Sequence, residues 1–460
     1  MGNTGSELMH KRLDRFRPEE RPIVQAVFDR LQGSGPSGAP GKAAAGSTLS
    51  FGMLQSAVGS VIPDPMVQRI YSCLCSVDPG QFSSGSQTSP GVGVSRDQLV
   101  IFLADTLRGT AEERAPLVLA MSQSPGSQAA SVSCDQIIKF LQDLVSAVIQ
   151  ILAHRGRLRG WRAERMGDSS ASVKLLSEQM CSELKPSEEG CDRSCLEDWI
   201  FREPSVSLYL EMVVSEGFNV MLGERSAPTL LPPCINTPWK ELHCLLDLPT
   251  VMFLAPQLPD RYSAPWRLMF STKLHGESFT RMATGLLKCG PTLLLIKDSK
   301  GHVFGGFASQ DWEIKPKFQG DSRCFLFTVS PCLRVYNTTG YNQHFMYLNQ
   351  NQQTMPNGLG MGGQHYYFGL WLDCDFGRGH SRAKPKCTTY GSPQLSADED
   401  FTVDAVEVWA VGTLPEPDED DEGQGKKSVL DADPEVQAIL EMTGKTLHSQ
   451  GLREPEEDED

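Results

Sequence analysis

Gly358, Gly360 and Gly363 satisfy the G-x-G-x-x-G spacing with which a glycine loop cradles a dinucleotide pyrophosphate. That chemistry needs the loop after a strand and before a helix. Here it follows the polar Asn349–Asn357 and precedes an expected aromatic strand, Tyr366–Asp373, so tight turns against a packed sheet are expected instead. Gly379-His380-Ser381-Arg382-Ala383 has the outline of a nucleophile elbow, yet Pro385 opposes the helix that must follow. Asp373 and Asp375 lie two apart on an expected strand and would share a face, as paired carboxylates do. An edge hydrogen-bonding role is the simpler reading of that pair. Cys191/Cys195 and Cys73/Cys75 lack a second pair at zinc spacing, and His275, His302, His344, His365 and His380 form no H-x-x-x-H. An activated thiol would need a neighbouring base or cation, and Cys324 and Cys374 are expected inside apolar strands, where a thiol is inert. The sequence predicts no catalytic residue, no metal site and no cofactor.

Two other constellations suit attachment. The opening Met-Gly-Asn-Thr-Gly-Ser matches the N-myristoylation pattern, with Gly2 as acceptor, since the transferase must reach an unhindered α-amine. One acyl chain anchors only marginally, and Lys11, Arg12, Arg15, Arg17 and Arg21 are expected to supply a second, electrostatic signal, weakened by Asp14, Glu19 and Glu20. Near the other end, Asp433-Pro434-Glu435 starts a short helix that Gly444 stops, with Val436, Ile439 and Leu440 on one face. That stripe suits a groove on a partner, and its three residues are the expected partner-binding side chains.

The elements that hold these residues read as helices first and strands later. Leu49–Leu54, Val94–Leu99 and Val132–Ile137 each place an apolar residue and a serine before an apolar helix, and Ser95/Gln98, Ser133/Gln136 and Ser194/Glu197 have capping-box spacing. The repetition resembles EF-hand pairs. The loop from Asp78 to Ser95 offers Gly, Ser, Pro and Gln in place of acidic ligands, so a calcium-free scaffold is expected. Ile137, Leu141, Leu144, Val148 and Ile151 make an amphipathic stripe, and the basic run His154–Arg165 reads as a solvated helix end. From Trp266 to Gly412, short Val, Ile, Phe, Tyr and Trp runs between turn residues read as strands, with a hairpin turn at Asp298–Gly301. Several runs have no polar face and should be covered on both sides.

This second half resembles the TLDc domain. The resemblance rests on Trp266, Phe270 and Ser271 with His275, Gly276 and Ser278; on the Phe304–Phe307 F-G-G-F hairpin; on Phe368–Asp375; and on Phe401 with Val406–Trp409. It covers about a third of the chain and implies a non-catalytic, stress- and growth-linked adaptor. The partners it implies are the vacuolar proton-pumping ATPase (vacuolar ATPase) and mTOR, with the chain on the cytoplasmic face of the lysosomal membrane or in the cytoplasm. A second reading, an oxidation-resistance enzyme using a thiol, follows from the association of TLDc proteins with oxidation resistance. His275 and Gly276 are read as structural.

Composition bounds the rest. Net charge is −15, of which residues 416–460 hold −12 through 16 acidic and 4 basic side chains, so the folded body is nearly neutral and no nucleic-acid partner is expected. The 13 cysteines are odd in number and scattered, as reduced packing residues are. No run reaches the roughly 18 uninterrupted apolar residues of a membrane span. The expected architecture is α+β and multidomain: a basic N-terminus (1–21), an EF-hand-like helical domain (22–135), a helical middle domain (136–226), a two-sheet β-sandwich TLDc domain with flanking helices (239–413) and an acidic linker with one helix (414–460).

Overall fold

Serine caps start the helices where the spacing places them. Ser95 and Ser133 each accept from the N–H three residues on while Gln98 and Gln136 reach back, so both capping boxes form. The computed structural model describes residues 3–33, 48–78, 93–124, 127, 129–220, 222–223, 228–287, 289–382 and 384–413. Gly2, most of the Asp78–Ser95 loop and the whole of 414–460, with Val436, Ile439 and Leu440, lie outside the described residues.

The first half contains α1 (Asn3–Leu13), α2 (Arg21–Leu31), α3 (Phe51–Val58), α4 (Asp64–Ser76), α5 (Arg96–Arg108), α6 (Ala111–Ser122), α7 (Cys134–His154), α8 (Ser170–Met180), α9 (Arg193–Arg202) and α10 (Pro204–Gly217). Loops between them pair by single bridges. Leu49 and Val94 exchange N–H···O bonds of 2.8 and 2.9 Å, and Val132 and Cys191 do so at 3.0 and 2.8 Å. Asp192, not Ser194, caps α9, accepting from Cys195 N at 2.9 Å, because the chain turns into the helix two residues earlier than the serine spacing suggests. By length and hydropathy α7 could cross a membrane. Its apolar stripe (Ile137, Leu141, Leu144, Val148, Ile151) is buried against α10, α8, α4 and α6, so it is the central helix of this half.

After α11 (Leu248–Leu254) the chain enters the sheet: β1 (Arg267–Ser271), α12 (Thr272–His275), α13 (Phe279–Leu286), β2 (Thr292–Asp298), β3 (Val303–Ala308), β4 (Lys315–Gln319), β5 (Phe325–Ser330), β6 (Arg334–Asn337), β7 (Met346–Asn349), β8 (Gly358–Gln364), β9 (Tyr367–Asp373), β10 (Arg378–His380) and β11 (Asp400–Ala410). Two separate sheets are expected from the sequence; the strands form one antiparallel, eleven-stranded sheet, ordered β4-β7-β8-β9-β10-β11-β2-β3-β5-β6 with β1 also on β11. β11 is the strand that joins the halves. Its first residues pair with β10, from Val403 onward it pairs with β2, with a bulge between Val403 and Ala405, and its last residues also pair with β1. A bulge bends a strand, which lets one long strand serve both halves.

The curl encloses one core. Leu294, Ile296, Phe304, Leu326, Val406 and Val408 from one half meet Met346, Leu348, Leu359, Met361, Leu370 and Leu372 from the other. The alternate residues Leu293, Leu295, Phe307, Phe327 and Trp409 face outward into the core of the helical half. Strand period two therefore explains the runs without a polar face: one face fills the curl and the other receives the helices. That second core runs from Leu13 to Val411.

Candidate functional site

The elements bring together three places where side chains could act. The first is the N-terminus. Arg12 Nε lies 2.7 Å from Asp105 and its Nη1 2.6 Å from Glu113, while Arg15 grips Glu113 with both terminal nitrogens at 2.5–2.6 Å. Arg21 pairs with Asp14 at 3.1 Å. Arg12 and Arg15 are thus not part of the free basic surface expected beside Gly2: α1 lies on α5, and acids of α5 and α6 occupy them, while Lys11 and Arg17 stay exposed. The two carboxylates divide the charge. Arg15's hydrogen bond holds Glu113 down to about 2, whereas burial pushes the deeper Asp105 up to about 6 despite Arg12.

The second place is the junction of helices and sheet. Trp161 lies 5.5 Å from Trp409, 5.7 Å from Trp266 and 6.0 Å from Trp239, ring centre to ring centre. Arg155 and Arg157 reach the buried Glu216 at 2.9 and 2.6 Å, and Arg159 donates to the carbonyls of Leu231 and Tyr262. The run is largely exposed, as a solvated helix end is, yet its arginines are also held by these contacts. It holds the linker against the sheet, and its Trp161, 1% exposed, fills the gap. Inside the same junction Glu407, 1% exposed, accepts from Leu245 N (2.9 Å), Trp409 Nε1 (3.0 Å) and the Cys244 thiol (3.5 Å). Burial pushes its carboxyl up to about 7 against those three donors.

The third place is a rim of exposed tyrosines. Tyr366 lies in the β8–β9 turn and Tyr367 opens β9, and they are 58% and 59% exposed; Tyr341, 79% exposed, lies in the loop after β6. Thr389 ties these loops together: its hydroxyl accepts from Gly363 N at 2.9 Å and donates to Asn342 at 2.7 Å. Behind the turn, His344 and His365 stack on Phe318, and Phe368 stacks on Trp371. Tyrosines presented by a stiff support suit protein recognition.

The motifs with chemical outline have packing roles. Gly358, Gly360 and Gly363 lie within β8, not in turns, and a Cβ on Gly360 would stand 2.6 Å from the Phe368 ring. Ser381 is fully buried, its hydroxyl donating to Gly369 O (2.6 Å) and accepting from Leu395 N (2.9 Å), so it is no nucleophile. His380 stacks on Trp371, and burial pulls its ring down to about 4. Asp373 ends β9 and Asp375 falls in the following turn, so they do not share a strand face. Cys374 is exposed in that turn, contrary to the expectation of an apolar strand; Cys324 is buried. His275 accepts from Ser271 N at 3.0 Å and binds Arg281 through its carbonyl, a structural corner beside a shallow cavity. Burial raises the thiols of Cys73, Cys75, Cys181, Cys191, Cys234, Cys244, Cys289, Cys324 and Cys374 above their ordinary range, the reverse of activation. Among the described residues no group of three or more His, Cys, Asp or Glu is placed to hold a metal ion.

Residues 240–412, which hold the curled sheet and the tyrosine rim, match the TLDc domain. Over its whole length the chain is 61% identical to the MTOR-associated protein MEAK7 of Danio rerio and 42% identical to that of Homo sapiens, covering all of each. The chain belongs to the MTOR-associated protein MEAK7 family. The chain is also 37% identical to the oxidation resistance protein 1 of Bos taurus, across 35% of this chain and 18% of that one. The wider likeness thus covers about a third of the chain, while the MEAK7 likeness covers all of it. Neither of these two names describes an enzyme.

Proposed function

We propose that this member of the MEAK7 family is a non-enzymatic adaptor on the cytoplasmic face of the lysosomal membrane, bound to the vacuolar ATPase and supporting mTOR signalling. The observation that carries the reading is end-to-end identity with proteins named as MTOR-associated. The tyrosine rim supports it, since it offers recognition without a catalytic set behind it. In this reading the paired helix–loop–helix units, bridged at Leu49/Val94 and Val132/Cys191, are calcium-free EF-hand-like scaffolds. N-myristoylation at Gly2 supplies the membrane contact, and the Val436, Ile439 and Leu440 stripe docks on the pump.

Pump association separates the parts. Ile439→Asp with Leu440→Asp is expected to weaken capture of the vacuolar ATPase from detergent-solubilised lysosomes while the melting temperature stays unchanged. Gly2→Ala is expected to shift the chain from membranes to the cytosol. Undiminished capture would remove the stripe as the docking site and undiminished lysosomal recovery would remove the lipid anchor, whereas failure of the native chain to capture the vacuolar ATPase would overturn the adaptor reading. The oxidant-handling alternative requires a fast thiol, and the upward displacement of the buried thiols weighs against it.

A further inference from the structure

Four of the cysteines, remote in sequence, meet where the second pair of loops joins. Cys134 is the first residue of α7, Cys181 follows α8, and Cys191 and Cys195 flank the cap of α9. The backbone bridge between Val132 and Cys191 brings the two chain segments together. Val132 is the residue opposite Cys191 in this bridge; Cys134 follows Val132 by two residues at the start of α7, and Cys195 lies in the first turn of α9, across the Asp192 cap from Cys191. The Cys191 thiol interacts with those of Cys195 and Cys134, and that of Cys181 with Cys134. Cys191 is buried; the other three are half-buried and reachable by a small oxidant.

We propose that this cluster is an oxidation site, in which Cys191 forms a reversible disulfide with Cys134 or Cys195 in the presence of hydrogen peroxide. A half-buried thiol gives up its proton and its sulfur attacks one peroxide oxygen. The O–O bond breaks, leaving a sulfenic acid and a hydroxide that takes the released proton to become water. The Cys191 sulfur then attacks the sulfenic sulfur; the S–S bond forms, the S–O bond breaks, and hydroxide leaves as water with the Cys191 proton. Two thiols are oxidised by two electrons and one peroxide is reduced to two waters. Burial disfavours the Cys191 thiolate, so the second step is slow. The pair therefore acts as a latch that closes once, without the turnover of a peroxidase. With Cys134 as partner, the bond ties the start of α7 to the loop before α9 and closes the chain between them, which constrains the unfolded state.

The test uses the full chain exposed to hydrogen peroxide, then thiol-blocked and mapped without reduction. A disulfide-linked peptide containing Cys191 is expected, disappearing on reduction, together with a melting temperature raised by about 2–4 °C. Because a buried Cys191 variant could fail to fold, Cys134→Ser and Cys195→Ser are compared: one should abolish the crosslink and the shift, and their combination should abolish both. The proposal is overturned if Cys191 stays a free thiol while Cys134 and Cys195 proceed to sulfinic acid. It is equally overturned if the untreated chain holds stoichiometric zinc that peroxide releases, since the cluster would then be a metal site.

Discussion

Arg12 Nε stands 2.7 Å from Asp105 Oδ1, and this contact turns part of the N-terminal basic cluster inward. The same arginines cannot face an acidic bilayer and this pair of carboxylates at once. Docking of α1 on α5 and electrostatic membrane contact through Arg12 and Arg15 are therefore competing states.

Weakening the clamp should expose the competition. Glu113→Gln removes the acceptor of both Arg15 nitrogens and should cost about 1–3 kcal/mol, since two guanidinium groups lose a partly buried partner. Thermal melting should show the loss, and sedimentation with acidic vesicles should show tighter binding. An unchanged melt with unchanged vesicle binding would mean that the clamp holds nothing.

The clamp also predicts an acid limb. Glu113 is held at about 2 from an ordinary 4.5, so its stabilisation is present above about 4.5 and lost as pH falls toward 2. Asp105 has the opposite sign. Its folded value of about 6 exceeds 3.8, so its contribution is full below about 4 and lost as pH rises through 6. Asp105→Asn should flatten denaturant stability between pH 4 and about 6 relative to the native chain, and an unaltered slope there would refute the assignment.

Glu407 sets a second pH dependence at the junction. With its carboxyl raised from 4.5 to about 7, stability should fall as pH rises between those values, by roughly 2–3 kcal/mol. Glu407→Gln should remove that fall. Emission from Trp161, Trp266 and Trp409, which surround the site, offers a local probe of the same titration. If the tryptophan signal titrates identically in both proteins, Glu407 is not its source.

Gly305 tests the F-G-G-F hairpin. A Cβ there would lie 1.8 Å from Leu294 O, a backbone atom that cannot swing aside, so Gly305→Ala should destabilise by about 1–3 kcal/mol or more. Gly377→Ala, where nothing lies within 4 Å, is the control and should be near neutral. Equal effects of the two would disprove the close approach.

Native thiol labelling separates exposure from burial. Cys75, Cys332 and Cys374 are exposed and should label first, with Cys73, Cys324 and Cys387 protected until unfolding. A thiol that reacts much faster than free cysteine would revive the enzymatic alternative.

The helical half was legible because its signals are local. Ser95 with Gln98, and Ser133 with Gln136, specify helix starts within four residues, and Ile137 to Ile151 repeat at helical period. The hairpin at Asp298–Gly301 was equally local: Asp298 accepts from Lys300 N and His302 N, and Gly301 has φ 90°. Asp375 and Cys374 fall outside the expected strand because a strand end depends on where its partner stops pairing, and β8 begins at Gly358, opposite Asp373.

By itself, then, the sequence determined the succession of helices before strands, the Ser95 and Ser133 caps, the Asp298–Gly301 turn and the strands covered on both faces, since each depends on neighbours within a turn or on period two. Tertiary structure decided the rest. Whether Arg12 and Arg15 are free depends on Asp105 and Glu113, about a hundred residues away. What the arginines of His154–Arg165 hold depends on Glu216 and Leu231, and whether two sheets are one depends on β11 pairing with both β10 and β2. Charge and burial are properties of what the chain packs against, and long-range contacts leave no period in the sequence for a reader to find.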